Sequence, residues 1–218
     1  MDRKGFEISV SMLVVLILST VVFAGGLYMV KQYFTLATQV QAQIDADTTR
    51  QINAKLLEGT EKVVIPIHKK TARGGQVVTF GMGVLNTLGA EHTFGIDVSF
   101  ANAYDKDTEE SIEVATEGQA RPEQKYINNN WLPQEFTKDN QFTLAPNARQ
   151  VIPIPIKVDN RMSDTESTRR ATTYVFNVCV FKSDDSSQQI GCGEEQFSPI
   201  ELALLHGGKI LKVYVVVD

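Results

Sequence analysis

The chain has 218 residues, and 21 Lys and Arg against 26 Asp and Glu leave a net charge of −5. That balance excludes a generic nucleic-acid surface, where a basic face is expected, and it is too mild for a halophile-type acidic coat. The two cysteines, Cys179 and Cys192, lie too far apart to make a good zinc site.

The first six residues after the initiator, Asp2-Arg3-Lys4-Gly5-Phe6-Glu7, lead straight into an apolar run without a charge from Ile8 to Val30. A bilayer core needs roughly 20 residues of helix, and this run is long enough. A cleaved secretory signal has an apolar core of only about 7–15 residues with its cut site behind it. Ala24-Gly25-Gly26 resembles such a site, but the apolar pattern continues through Leu27, Tyr28, Met29 and Val30. Two readings stay open: a plain anchor, and a segment whose cut falls in front of the apolar run, so that the helix is retained. Arg3 and Lys4 precede the run and only Lys31 follows it closely, which favours a cytoplasmic N-terminus and an exterior C-terminal part. Glu7 falls at the interface, where a carboxylate costs little.

After Val30 the chain turns amphipathic and carries no proline before Pro66. Tyr33, Ala37, Val40, Ile44, Thr48, Ile52 and Leu56 fall three or four apart, one apolar stripe at helical spacing. Gly59 is the expected stop. The expectation is one helix over residues 6–59, roughly 80 Å long at about 1.5 Å per residue. Gly25-Gly26 would bend it or admit a neighbouring helix.

From residue 60 onward the pattern is β. Lys62–His68, Gln76–Asn86, Thr93–Phe100, Gln150–Val158, Thr172–Ser183 and Lys209–Val217 are β-rich, and several alternate with period two. Turn signals separate them at Arg73-Gly74-Gly75, Thr87-Leu88-Gly89, Ala145-Pro146-Asn147, Asp184-Asp185-Ser186-Ser187 and His206-Gly207-Gly208. Pro66, Pro153 and Pro155 cannot donate to a ladder, so their runs are edge strands or the prolines face outward. Short strands without intervening helices predict an antiparallel sandwich. The expected class is therefore α+β: a long N-terminal helix followed by an all-β sandwich head over 60–218. Tyr104 to Asn140 reads as a long polar connection, and such lengths are usually functional or mobile.

Cys179 sits in an apolar strand, and the polar stretch before Cys192 reads as a hairpin tip. An exterior location permits oxidation, so a disulfide is expected. In the chain-entropy model a closed loop of about 15 residues contributes about 3 kcal/mol. Asp105, Asp107, Glu109 and Glu110 cluster in the long connection but lack the glycine turn and ligand set of a calcium loop, so a solvated loop is expected. His68, His92 and His206 are scattered, and no nucleophile, metal or phosphate-loop motif is present. No enzyme, cofactor, metal or small-molecule substrate is expected. Gly81-Met82-Gly83 suggests a bulge, and Trp131 reads as a core residue rather than an exposed binding aromatic.

Asn86-Thr87-Leu88-Gly89, then Phe94, Ile96, Val98 and Phe100, then Trp131, Phe142-Thr143-Leu144-Ala145-Pro146-Asn147 and Tyr174-Val175-Phe176-Asn177-Val178 together resemble an immunoglobulin-like domain of prokaryotic surface proteins. The Lys4-Gly5-Phe6 stub before a long apolar helix resembles type IV pilin-like proteins, most of all archaeal pilins and archaellins. The resemblance implies a class III leader over residues 1–5, cut by a prepilin-type peptidase between Gly5 and Phe6. Bacterial pilins carry Glu at the fifth mature position; here that is Val10, a departure that favours the archaeal branch. The implied function is a filament subunit, with membrane lipid as its surroundings before assembly and copies of itself afterwards. Glu7, Leu13, Val14, Leu16, Ile17, Leu18, Val21, Val22, Phe23, Gly25 and Gly26 would form the filament core. The alternative is an uncut, single-pass accessory subunit, minor-pilin or stator-like, whose exterior sandwich binds an envelope or filament partner.

Overall fold

The computed structural model describes residues 12, 14–26, 46–59, 61–112, 122–133, 141–163, 166–169, 171–183, 192 and 205–218. The chain divides into two compact units, Met1–Ala42 and Gln43–Asp218. In the first, residues 14–26 are helical (α1).

The second unit carries α2 (Ala46–Leu57), β1 (Val63–Val64), β2 (Lys69–Ala72), β3 (Val77–Leu85), β4 (His92–Asp105), α3 (Pro122–Asn130), β5 (Gln141–Leu144), β6 (Arg149–Lys157), β7 (Thr172–Lys182) and β8 (Leu211–Val217). The strands form two sheets, β1-β3-β6 and β2-β8-β7-β4-β5. All pairs are antiparallel except β2 with β8. The chain crosses between sheets after β3, returns for β6 and crosses again for β7 and β8. That is the connectivity of an immunoglobulin-like sandwich.

Period-two alternation fills the space between the sheets. Val78, Phe80, Met82 and Val84 of β3 and Ile152, Ile154 and Ile156 of β6 meet Phe94, Ile96, Val98 and Phe100 of β4. Tyr174, Phe176, Val178 and Val180 of β7 and Val213, Val215 and Val217 of β8 complete the same core. Each of these sets lies on one face of its strand because successive side chains point to opposite faces.

Several expectations are corrected. The α+β class with one long N-terminal helix does not hold: the described residues are mostly β, and their helices are short. No described helix is long and apolar enough to cross a membrane. α2 ends at Leu57, with Gly59 in the left-handed region at φ 73°. Its stripe is used by the sandwich, since Thr48, Ile52 and Leu56 are buried there. Tyr33, Ala37, Val40 and Ile44 lie outside the described residues.

The run Lys62–His68 is not one strand. β1 stops at Val64, just before Pro66, and the chain passes to the other sheet, where β2 joins β8. Proline has no N–H with which to continue a ladder. Gly81-Met82-Gly83 contains no bulge, for the β3–β6 register runs unbroken from Val77 to Leu85. The connection Tyr104–Asn140 is not all loop: β4 reaches Asp105, α3 follows, and Ile127, Trp131 and Leu132 enter the core. Ile127 and Trp131 are four apart, a helical pair too brief to register against the polar residues around it.

Candidate functional site

α1 is apolar on every side. Val14, Val15, Leu16, Ile17 and Leu18 are consecutive and all exposed, between 48% and 65%. At about 100° per residue, five such positions cover the whole helix circumference. Val21, Val22 and Phe23 extend the surface at 64–70% exposure. The polar groups within it are satisfied internally: Ser19 Oγ and Thr20 Oγ1 both donate to the Leu16 carbonyl, at 2.9 and 2.8 Å. That arrangement suits an apolar medium, where an unpaired hydroxyl is costly. A Cβ at Gly25 or Gly26 would meet nothing within 4 Å. Arg3, Lys4, Gly5, Phe6, Glu7 and Leu13 lie outside the described residues.

In the sandwich, by contrast, several of the described edges carry features that discourage strand addition. β6 carries Pro153 and Pro155, two apart, so both lack an N–H on the side away from β3. By the same register the Thr79 carbonyl, opposite Pro155, faces the other edge of β3. There Lys70 Nζ donates to it at 2.6 Å. β2 is four residues long and carries Lys69 and Lys70. β5 is also four residues long. Away from β5, α3 engages the backbone of β4: Phe100 N–H donates to Asn128 Oδ1 at 2.7 Å, and Gln124 Nε2 donates to the Phe100 carbonyl at 3.3 Å. Gln124 and Asn128 are one turn apart and act as a substitute strand. Short, charged, proline-bearing or capped edges remove the template for strand addition.

One residue of the immunoglobulin-like pattern proves to be a structural knot. Asn86 is fully buried; its Nδ2 donates to the carbonyls of Ala90, Leu144 and Ala145 at 2.8, 2.8 and 3.1 Å. Its Oδ1 accepts from Leu88 N–H at 2.9 Å. It joins the turn after β3 to the turn before β6, where Asn147 takes φ 59°. Trp131 is fully buried, 4.7 Å from the Tyr174 ring centroid, and donates from Nε1 to the Arg161 carbonyl.

On the outer face of the five-stranded sheet, Cys179 and Cys192 form a disulfide, with Cα atoms 5.8 Å apart. Cys179, Phe181, Cys192 and Leu205 make a small apolar cluster separate from the main core. Gly95 faces Phe181 across β4 and β7, and a Cβ there would lie 2.2 Å from the ring. Asp97 faces Cys179, and its carboxylate accepts the Cys192 N–H. Burial pushes the Asp97 carboxyl up to about 6, against the lowering effect of the Cys192 and Val98 N–H groups. Sequence reasoning passes over Asp97; its only signal is a carboxylate inside an alternating strand.

His206 gives no functional signal in the sequence either. It is buried, its Nε2 is 2.7 Å from the Leu85 carbonyl, and its ring lies 4.6 Å from Phe94. A carbonyl only accepts, so Nε2 carries the proton. Burial pushes this imidazole below its ordinary value, partly offset by that hydrogen bond, and Lys62, Lys182 and His92 lower it further. The acidic cluster is a self-closed turn: Asp105 Oδ1 accepts from the Asp107 and Thr108 N–H groups, which hold its carboxyl below the usual range. Among the described residues no group of three or more His, Cys, Asp and Glu is placed to hold a metal.

No family model matches the chain. No curated protein matches it either. Among solved structures, a Pseudomonas fluorescens alkylpurine DNA glycosylase bound to DNA is similar at TM-score 0.36 and 13% identity, over 75% of this chain and 33% of that one. A PapD-like domain of human CEP192 gives 0.34 and 11%, over 73% and 86%. A Caenorhabditis elegans major-sperm-protein family member gives 0.33 and 6%, over 72% and 99%. This chain thus spans a third of the glycosylase chain. Likenesses this weak transfer no activity.

Proposed function

We propose that this protein is a structural subunit of an extracellular type IV pilus-like filament, of the archaeal pilin or archaellin kind, assembled through its apolar N-terminal segment. The observation that carries the proposal is the all-round apolar exposure of α1. A helix with one apolar stripe is satisfied by a single groove, whereas one apolar on every side needs lipid or several helices around it. The two environments serve successively. The precursor sits in the membrane with its sandwich outside; a prepilin-type peptidase cuts between Gly5 and Phe6; the segment then exchanges lipid for the same segment of other copies. Both surroundings are apolar, so packing and multiplicity decide the transfer. The features at the described sheet edges support this route, because they make those edges poor templates for strand addition.

The test is the N-terminal residue of material sheared from cells, together with electron microscopy of the cell surface. Phe6 as the first residue, in filaments, is the expected result. Single lipid-bound copies beginning at Met1, with no polymer on any cell, would overturn the proposal and support the anchored accessory subunit.

A further inference from the structure

Cys192 is held by its peptide as well as by its sulfur. Its N–H donates to the Asp97 carboxylate, its C=O accepts from Asn177 Nδ2 at 3.1 Å, and its sulfur is bonded to Cys179. Asp97 is directly opposite Cys179, and Asn177 is two positions before Cys179 on the same face of β7. Acceptor, donor and sulfur partner therefore lie side by side on one patch of the sheet. Asp97 is only 7% exposed, a costly place for a carboxylate without a strong donor. Asn177 Oδ1 has no hydrogen-bond partner among the described residues, so the Cys192 carbonyl is what orients that amide. Closing a loop through sulfur requires neither group. Both are what a docking site for a peptide group requires: one acceptor for the N–H and one donor for the C=O of the same residue.

We infer that Asp97 and Asn177 are positioning residues that seat the Cys192 peptide on β4 and β7 before the disulfide forms, so that the folded sandwich templates its own cross-link. Closure uses a disulfide oxidant such as oxidised glutathione. One protein thiolate attacks it, forming a mixed disulfide and releasing one glutathione thiolate. The second protein thiolate displaces the other glutathione as the Cys179–Cys192 bond forms. Two protein thiols are oxidised, one glutathione disulfide is reduced to two thiols, and the protons lost by the protein thiols pass through water to the released thiolates. This inference is independent of filament assembly.

The decisive experiment is hydrogen exchange at the Cys192 amide in the full chain, in detergent, carrying Cys179→Ser. Prior docking predicts slowing by at least about tenfold relative to a free peptide, as one charge-assisted hydrogen bond implies. Adding Asp97→Ala abolishes the slowing while the near-ultraviolet signal of buried Trp131 persists. A Cys192 amide that exchanges at the free-peptide rate beside a native Trp131 signal overturns the inference. Should the serine variant not fold, the same amide is read in the wild-type chain with both cysteines held reduced by a thiol, where prior docking predicts the same slowing of at least about tenfold and its loss in Asp97→Ala. Exchange at the free-peptide rate in that reduced wild-type chain overturns it.

Discussion

At the scale of single residues, the polar groups in the sandwich are its most specific parts. Asn86 supplies donors to three carbonyls and an acceptor to one N–H from a fully buried position. Replacing it with Ala strands those backbone groups, and the expected loss is about 3 kcal/mol in urea unfolding. Asp97 makes a pH prediction. Its folded value, about 6, lies above the ordinary 3.8. Between those values the folded state binds more protons than the unfolded one, so its contribution to stability is full at low pH and is lost as pH rises through that window. Asp97→Asn removes this slope. Relative to wild type, the variant should gain about 2 kcal/mol between pH 4 and pH 7, read from urea midpoints at each pH. His206 has the opposite sign: its folded value is lowered, so its contribution is lost as pH falls below the ordinary 6.5.

At the scale of elements, α2 is attached to the sandwich through a glycine. A Cβ at Gly83 would stand 2.2 Å from Ile52 Cγ2 and 2.9 Å from Leu56 Cδ1. Ile52, Leu56 and Val64 form a cluster of their own, apart from the main core. Gly83→Val should therefore displace α2 without dissolving the sandwich. The expected local loss is about 3 kcal/mol, the order of burying one or two such side chains. Hydrogen exchange would show it as faster α2 amides beside an unchanged β3–β6 ladder. α3 illustrates the converse, a helix standing where a strand would otherwise pair. Its Gln124 and Asn128 bond the backbone of Phe100, next to the register shift between Phe100 and Asn102.

At the scale of the whole molecule, the two compact units make a separable prediction. A lysine in an apolar surrounding costs about 2.5–3.5 kcal/mol at the centre of a membrane helix. Leu18→Lys is expected to abolish high-order assembly, measured as particle mass on detergent removal. The Trp131-reported melting of the sandwich should stay within about a degree of wild type, since surface changes outside a folded core usually shift stability by less than about 0.5 kcal/mol. An unchanged particle mass would count against α1 as the assembly element.

Much of the sandwich is legible in the sequence. Phe94, Ile96, Val98 and Phe100 announce a one-sided strand, and all four are buried. Asn147, Gly207 and Gly208 sit at predicted turns and take positive φ. Thr48, Ile52 and Leu56 declare the buried stripe of α2. These are local signals, fixed by the two backbone periods and by the few residues that tolerate left-handed φ. The extent of the N-terminal helix is not legible in the same way, because a stripe at helical spacing records which face is apolar and not what covers it. The remaining features depend on partners far along the chain. Asp97 meets Cys192 across 95 residues, and His206 meets Leu85 across 121. Periodicity carries no information about such pairs, because a strand's pattern specifies its faces but not its neighbours. The sequence by itself determined which side chains turn inward and where the chain turns. Only the packing of the sheets decided which buried polar groups meet, since Asn86, Asp97 and His206 each find their hydrogen-bond partner in a main-chain group far along the chain.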